Sequence, residues 1–221
     1  MKKLIVQVLM LLMFGMFTTA ASFPNIGDTV EITWGTYGTT SGGEFNIDLL
    51  YNNKDVDYVG FCLELNEFIH LPGLYTITGI DEFAEMGGVG GAVNGKDYIS
   101  EETKWLYWNY QYTGLFGAKS NDLANAIQGL VWWFEEEVVD IHPTIAQPFY
   151  DQWIDGRTDF TIIGGSVKVM NLVAGNPGDE GYYKQSQLVG EPVPEPATML
   201  LFGLGLVVIS FSYKSVKNRR L

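Results

Sequence analysis

TVEITW at residues 29–34 and EFNIDL at residues 44–49 are the two stretches that decide the fold. Apolar and polar side chains alternate in both, which places the apolar ones on one face of a β-strand. Turn residues at 41–43 separate the two stretches. Further strands are predicted at residues 57–65 and 73–80, so the first half of the chain is predicted to build a β-sheet.

The middle of the chain has the periodicity of helices. Residues 101–112 place two tryptophans and a tyrosine on one helical face. A second amphipathic helix is predicted to begin at a cap formed by Ser120 or Asn121 and to run to about Glu137. The acidic run at residues 135–137 is interpreted as a solvated helix end.

The pattern after residue 143 is ambiguous, and closing strands are predicted at residues 160–163 and 166–173, with a last strand at 187–189. The predicted fold class is α+β, a mainly β single domain crossed by two helices. This domain is predicted to span residues 22–190.

The amino-terminal segment has the three-part layout of a secretory signal peptide. Lys2 and Lys3 precede an apolar stretch at residues 4–17, and small residues follow it. The apolar stretch is too short for a comfortable membrane span. Residues 1–21 are therefore predicted to be a signal peptide that is removed after Ala20 or Ala21.

The carboxyl-terminal segment has the pattern of a membrane anchor. An uncharged apolar run begins at Ala197 and ends at Tyr213, which is at the short end of the length that spans a bilayer. A basic stop follows it, made of Lys214, Lys217, Arg219 and Arg220. Because basic residues stay in the cytoplasm, everything before the run is predicted to lie outside as part of a tail-anchored precursor.

Residues 191–221 as a whole resemble the PEP-CTERM sorting signal of Gram-negative bacteria. The resemblance is carried by Pro194, Glu195 and Pro196, by glycines within the apolar helix, and by the Arg219-Arg220 terminus. It implies an exosortase-type enzyme as a partner, and sorting to the cell surface or extracellular matrix, often in strains that make exopolysaccharide. An ordinary permanent membrane anchor is the alternative.

The charge of the chain limits its partners. The formal net charge is -13, and six of the 13 basic residues lie in the two terminal segments, so the body between them is more acidic than the whole chain. A surface of this sign disfavours nucleic acid and polyanions as partners.

Cys62 is the single cysteine, in a chain predicted to enter an oxidising compartment. It cannot form an internal disulfide, so it is buried and inert, paired between chains, or used chemically. Gln128 lies in the middle of an otherwise apolar helix, where a polar amide needs a partner.

The surroundings of these two residues resemble the thioester domains of bacterial surface proteins. The resembling residues are FCLE at 61–64 on the cysteine strand, and Gln128 with Trp132 on the glutamine helix; KWLYW at 104–108 and QSQLV at 185–189 add to the likeness. Ile127 stands where the family has threonine, and Gly129-Leu130 replaces the usual pair after the glutamine. The resemblance implies an internal Cys62–Gln128 thioester that attaches the protein to amines. Such a bond needs shelter from water, and four tryptophans are numerous enough to form an apolar lid over it: Trp105, Trp108, Trp132 and Trp133.

Other functions are weaker alternatives. A noncovalent module that binds the surface or exopolysaccharide through aromatic side chains, with an inert Cys62, is the second hypothesis. A Cys-His hydrolase ranks third, because no nucleophile motif surrounds Cys62. His70 and His142 lack metal-ligand spacing, and the polar residues 52–57 lack the loop pattern of a calcium site. We therefore predict neither a catalytic residue nor a metal or other cofactor.

Overall fold

The two alternating stretches pair with each other as antiparallel strands. Val30 lies opposite Leu49 and Ile32 lies opposite Ile47, and all four side chains are buried. Glu31 and its partner are less buried, as the alternation of a strand requires. The strands predicted from these stretches are confirmed, and both extend beyond the predicted bounds.

The computed structural model describes residues 23–39, 42–50 and 57–192. The strands are β1 (Thr29–Thr39), β2 (Gly42–Leu49), β3 (Tyr58–Gly60), β4 (Gly73–Asp81), β5 (Phe83–Glu85), β6 (Lys96–Tyr98), β7 (Gly165–Val173) and β8 (Tyr183–Pro192). The α-helices are α1 (Glu101–Trp108), α2 (Asn121–Phe134) and α3 (Gln147–Trp153), and a π-helical segment at Asn109–Thr113 continues α1.

Six strands form one antiparallel sheet that nearly closes on itself. The strand order is β3-β2-β1-β4-β7-β8, and β5 and β6 form a separate hairpin. Beyond β3 the chain crosses to the far edge strand: Leu188 N–H donates to the Phe61 carbonyl at 2.9 Å, and Leu63 N–H donates to the Ser186 carbonyl at 3.1 Å. These two bonds join the ends of the sheet at Cys62.

The helices cover the outside of this sheet. Ser100 and Ser120 cap α1 and α2 with their hydroxyl groups, which accept backbone N–H bonds of the first turn. Helix α1 packs on β7 and β8, and α2 packs on β1 and β2. Their apolar faces build one buried cluster, while a second cluster contains Cys62 and strand residues such as Ile47.

Three sequence predictions of strands need correction. Residues 160–163 form no strand, because Phe160 packs edge-to-face against Trp105 and covers a helix instead. Of the predicted strand 57–65 only Tyr58–Gly60 pairs as one, and Cys62 forms an isolated bridge. The last strand is longer than 187–189, since β8 pairs along β7.

The prediction of two helices was one too few. Helix α3 lies in the segment that was ambiguous, and Phe149 and Trp153 of this helix pack against Phe116 at 4.8 and 5.4 Å between ring centres. Helix α2 ends at Phe134, earlier than predicted, because Glu136 adopts a left-handed backbone conformation with φ of 59°.

The predicted signal peptide and the predicted carboxyl-terminal sorting helix both lie outside the described residues. Within residues 23–39, 42–50 and 57–192, no helix has the length and apolar character that a membrane span requires.

Candidate functional site at Cys62 and Gln128

Cys62 lies at the seam where the sheet closes. Its partner across the seam is Gln187, in a bridge whose hydrogen bonds are made by the flanking residues Phe61 and Leu63. In such a pair the N–H and C=O groups of Cys62 point away from β8. They face the gap that opens because β2 pairs with β3 only as far as Gly60.

The side chain of Gln128 fills that gap. Its Oε1 accepts from the Cys62 N–H at 3.1 Å, and its Nε2 donates to the Cys62 carbonyl at 2.8 Å. The carboxamide therefore takes the place of a strand residue and satisfies both backbone groups. Cys62 is 3% exposed and Gln128 is 1% exposed, so the pair is shielded from water. The two residues singled out from the sequence lie in direct contact.

The thiol of Cys62 points to two glutamines of β8. Its Sγ donates to Gln185 Oε1 at 2.7 Å, and Gln187 Nε2 lies 3.9 Å from the sulfur. Burial raises the pKa of the Cys62 thiol far above its ordinary value, the Gln187 hydrogen bond lowers it, and the charge of Glu64 raises it further. The sulfur is consequently a neutral thiol at physiological pH.

Glu64 is a fully buried carboxyl group two residues further along the chain. Its Oε2 accepts from the Ser186 N–H at 2.7 Å, and its Oε1 is buried without a hydrogen-bond partner among the described residues. Burial, and next the charge of Glu67, raise the pKa of Glu64 to about 8. The sequence pattern did not predict this buried acid. The alternation of Cys62, Glu64 and their neighbours along one strand is the signal that could have suggested it.

The sequence gives Gln185 no role beyond its place in the QSQLV stretch at residues 185–189. In the structure its amide links two groups of the site, accepting from the Cys62 thiol and donating to the Glu64 carbonyl. The sequence signal for this role is weak, because a short polar run such as QSQ at residues 185–187 is common on solvated strands. Only the closed sheet turns these side chains inward.

A cavity of about 540 Å³ adjoins Gln128. Its walls include Gly42 at the start of β2, Gly129 and Trp132 of α2, and the segment at residues 138–145. A methyl group at Gly42 would come within 2.7 Å of Gln128 Cγ, so the cavity reaches the glutamine side chain only because this position is glycine.

The four tryptophans expected to form an apolar lid are not gathered at the pair. Trp132 lines the cavity beside Gln128. Trp105 packs against Phe116, Trp108 against Tyr112, and Trp133 against Tyr150. The prediction of a four-tryptophan lid is wrong, because the other three serve the helix packing.

The acidic run at residues 135–137 is another correction. Glu135 is 3% exposed and Glu137 is 4% exposed, so this is no solvated helix end. Glu137 accepts from the Leu65 N–H at 2.6 Å and from the Val89 N–H at 2.7 Å, and thereby ties two loops to the end of α2. The backbone turn at Glu136 directs both neighbours inward.

The weaker candidates were the polar residues 52–57 and the two histidines. The Asp57 carboxylate accepts from the Leu49 N–H at 2.8 Å, and residues 51–56 lie outside the described residues. The backbone of His70 bonds the Tyr75 hydroxyl, and His142 lies in the segment beside the cavity. In the described part of the chain, no group of three or more His, Cys, Asp or Glu side chains is arranged to hold a metal ion.

Comparison with known proteins identifies the end of the chain and not its body. Residues 192–215 match the family model of the PEP-CTERM protein-sorting motif. No curated protein and no solved structure matches the chain. The matched residues include Pro194, Glu195 and Pro196 and the run from Ala197 to Tyr213, as the sequence resemblance predicted. The chain thus carries a PEP-CTERM sorting motif, which implies export and processing by an exosortase at the cell surface.

Proposed function

We propose that this protein attaches covalently to amines on a surface or matrix through an internal thioester between Cys62 and Gln128. It would be made with a signal peptide in a Gram-negative bacterium and held as a tail-anchored precursor by the run from Ala197 to Tyr213. An exosortase would then release or re-anchor it. The thioester is used once, so the protein is a chemical hook and not a turnover enzyme.

The observation that supports this proposal is the docking of the Gln128 carboxamide on the Cys62 backbone by two hydrogen bonds, in a buried site. A Cys–Gln bond needs the reacting groups held together and shielded from water. The carboxamide has no freedom to turn away, because both of its polar atoms are engaged.

The proposed bond requires the Cys62 sulfur, which bonds Gln185 in this structure, to turn towards Gln128. The Cys62 side chain rotates about its Cα–Cβ bond and breaks its hydrogen bond to Gln185. The sulfur then attacks Cδ of Gln128. The negative charge that develops on Oε1 is stabilised by the Cys62 N–H, which already donates to this oxygen. The C–N bond breaks, the thiol proton passes to the departing nitrogen, and ammonia leaves. The product is an acyl thioester whose carbonyl still faces the Cys62 N–H.

The intact mass of the purified body tests the proposal. A thioester makes the protein lighter by one ammonia molecule, and Cys62→Ala should restore the mass expected from the sequence. Methylamine should add its own mass to the native protein and leave the variant unchanged. A native protein of full mass whose Cys62 is alkylated after mild unfolding, without methylamine uptake, would contradict the thioester.

A cleft elsewhere on the body supports the second candidate, a noncovalent module for the exopolysaccharide. The cleft has a volume of about 840 Å³ and is lined by Phe68, which is 71% exposed, and by the adjacent rings of Tyr182 and Tyr183. Aromatic faces with amide and carboxylate neighbours such as Asn66 and Asp179 are suited to sugar rings and their hydroxyl groups. In that function Cys62 is an inert core residue. Binding of purified exopolysaccharide that is lost in Tyr183→Ala, with no loss of ammonia, would favour it.

A further inference from the structure

The cleft beside Phe68 gathers exposed apolar side chains in a concave surface. Its volume of about 840 Å³ lies near the upper end of the range of small-molecule sites. Its walls come from the loop at residues 66–70, from Met86, and from the chain at residues 177–184, which leads into β8. Phe68, Met86 and Tyr183 are all exposed there. Exposed apolar side chains that share a concave surface indicate a ligand site.

The aromatic rings of this cleft are suited to sugar rings. The rings of Tyr182 and Tyr183 lie 5.2 Å apart between centres and meet edge-to-face at 75°, so that one ring supports the other. An exposed aromatic face packs against the flat C–H face of a sugar, whose hydroxyl groups then point to polar neighbours. Asn66 and the carboxylates of the walls are such neighbours.

The charge of the walls selects among sugars. Three carboxylates line the cleft, together with one lysine and one histidine: Glu67, Asp179, Glu180, Lys184 and His70. The whole chain also carries a formal net charge of -13. This field repels acidic polysaccharides and attracts cationic ones.

Glu67 is the least exposed of the three carboxylates, and it has an unused acceptor. Its Oε2 is buried and has no hydrogen-bond partner among the described residues, whereas Asp179 Oδ2 accepts from the Asn176 N–H at 2.9 Å. Burial raises the pKa of Glu67, the charge of Lys184 lowers it, and the charge of Glu137 raises it further. A cation beside Glu67 would offset this burial and favour the charged carboxylate.

We propose that this cleft binds a polysaccharide segment whose sugars carry free amino groups, with sugar rings on Phe68 and Tyr183 and one ammonium group paired with Glu67. The ammonium group supplies the donor that Glu67 Oε2 lacks. A hydrogen bond between two charged groups is stronger than one from a neutral hydroxyl, so the amine distinguishes this ligand from a neutral sugar chain.

This inference deepens the second candidate function, the noncovalent module, and rests on it. It names the class of polysaccharide that the cleft accepts. It is independent of the thioester, since none of the side chains that carry it belongs to the Cys62–Gln128 pair.

Calorimetry with two defined sugar chains tests the inference. The full-length protein in detergent carries Cys62→Ala, so that no amine is captured covalently, and it is titrated at about pH 6.5 with the glucosamine hexamer. The N-acetylglucosamine hexamer has the same rings without the ammonium groups and serves as the ligand control. Glu67→Gln is compared with Asp155→Asn, and Phe68→Ala with Tyr98→Ala, because both control residues are exposed and outside this cleft.

We expect the glucosamine hexamer to bind more tightly than the acetylated one. Glu67→Gln should weaken the binding of the glucosamine hexamer about fivefold, the size of a partly exposed ion pair, and should leave the acetylated hexamer unaffected. Phe68→Ala should weaken the binding of both hexamers about fivefold through the lost ring contact. The two control variants should bind as the parent does.

Equal affinity for the two hexamers, no binding of the glucosamine hexamer, or an unchanged affinity in Glu67→Gln would overturn the inference. A lysine hexamer that binds as tightly as the glucosamine hexamer would assign the cleft to basic peptides and would also overturn it. Each of these results leaves the second candidate function to be judged by the titration with purified exopolysaccharide, and leaves the mass test of the thioester intact.

Discussion

Gln128 has a structural role for as long as its carboxamide is intact. Its carboxamide takes the place of a strand partner beside Cys62, because the pairing of β2 with β3 stops at Gly60. Unpaired backbone groups in a buried seam cost about 1–3 kcal/mol each, so this amide stabilises the closure of the sheet. Fold and proposed chemistry depend on the same two hydrogen bonds.

Replacing that amide by a carboxyl group should therefore destabilise the protein. In the Cys62→Ala background, where no covalent bond interferes, Gln128→Glu loses the Nε2 donor and places an oxygen against the backbone carbonyl of residue 62. We expect the free energy of unfolding to fall by roughly 2–4 kcal/mol in urea denaturation. Gln152→Glu on the exposed part of α3 is the matched control. If Gln128→Glu and Gln152→Glu lower the free energy of unfolding by the same amount, the Gln128 amide does not stabilise the closure of the sheet.

At the scale of elements, replacing two glycines in different settings by alanine should change the stability in opposite directions. Gly129 is inside α2, where its Cβ would find ordinary contact with Ala146 at 3.4 Å. The better helix propensity of alanine should raise stability by up to about 1 kcal/mol. Gly165 begins β7, and a Cβ there would lie 1.8 Å from the buried ring of Trp108.

Gly165→Ala should accordingly lower the free energy of unfolding by roughly 1–3 kcal/mol through overpacking. Thermal and urea unfolding of the two variants, measured side by side with the native body, give the comparison. A stabilised Gly165→Ala, or a strongly destabilised Gly129→Ala, would show that α1 or α2 packs on the sheet differently from this structure.

At the scale of the whole molecule, buried carboxyl groups set the response to pH. Burial, and next the charge of Glu135, raise the pKa of Asp97 to about 7, and burial raises the pKa of Glu64 to about 8. The folded state therefore keeps protons that the unfolded state releases in the ordinary range of carboxyl groups. Between the ordinary pKa of a carboxyl group and its raised pKa in the folded protein, about 7 for Asp97 and about 8 for Glu64, the free energy of unfolding falls as the pH rises.

We expect the body to be more stable at pH 5 than at pH 8. Each group should lower the free energy of unfolding by up to about 1.4 kcal/mol per pH unit between its unfolded-state and folded-state pKa. Urea unfolding at a series of pH values measures this slope. Glu64→Gln, which cannot ionise, should flatten the part of the slope that extends to about pH 8. A free energy of unfolding that increases steadily from pH 5 to pH 8 would contradict the buried, protonated state of these acids.

The sequence by itself determined the strands with clear alternation, the capped start of α2 and the sorting motif at the end of the chain. Periodicity, a serine cap and a sequence signal are local, and they act within one segment. Local patterns also indicated Cys62 and Gln128 as candidate site residues, because a lone cysteine and an amide in an apolar helix each need an explanation.

Only the tertiary structure decided that these two residues meet. They are 66 positions apart, and their contact requires the closing of the sheet at Phe61 and Leu63 and the packing of α2 over the gap beside β2. The inward direction of Gln185, Glu135 and Glu137 has the same origin. Pairing between distant segments depends on the register of every strand between them, and no local pattern contains that information.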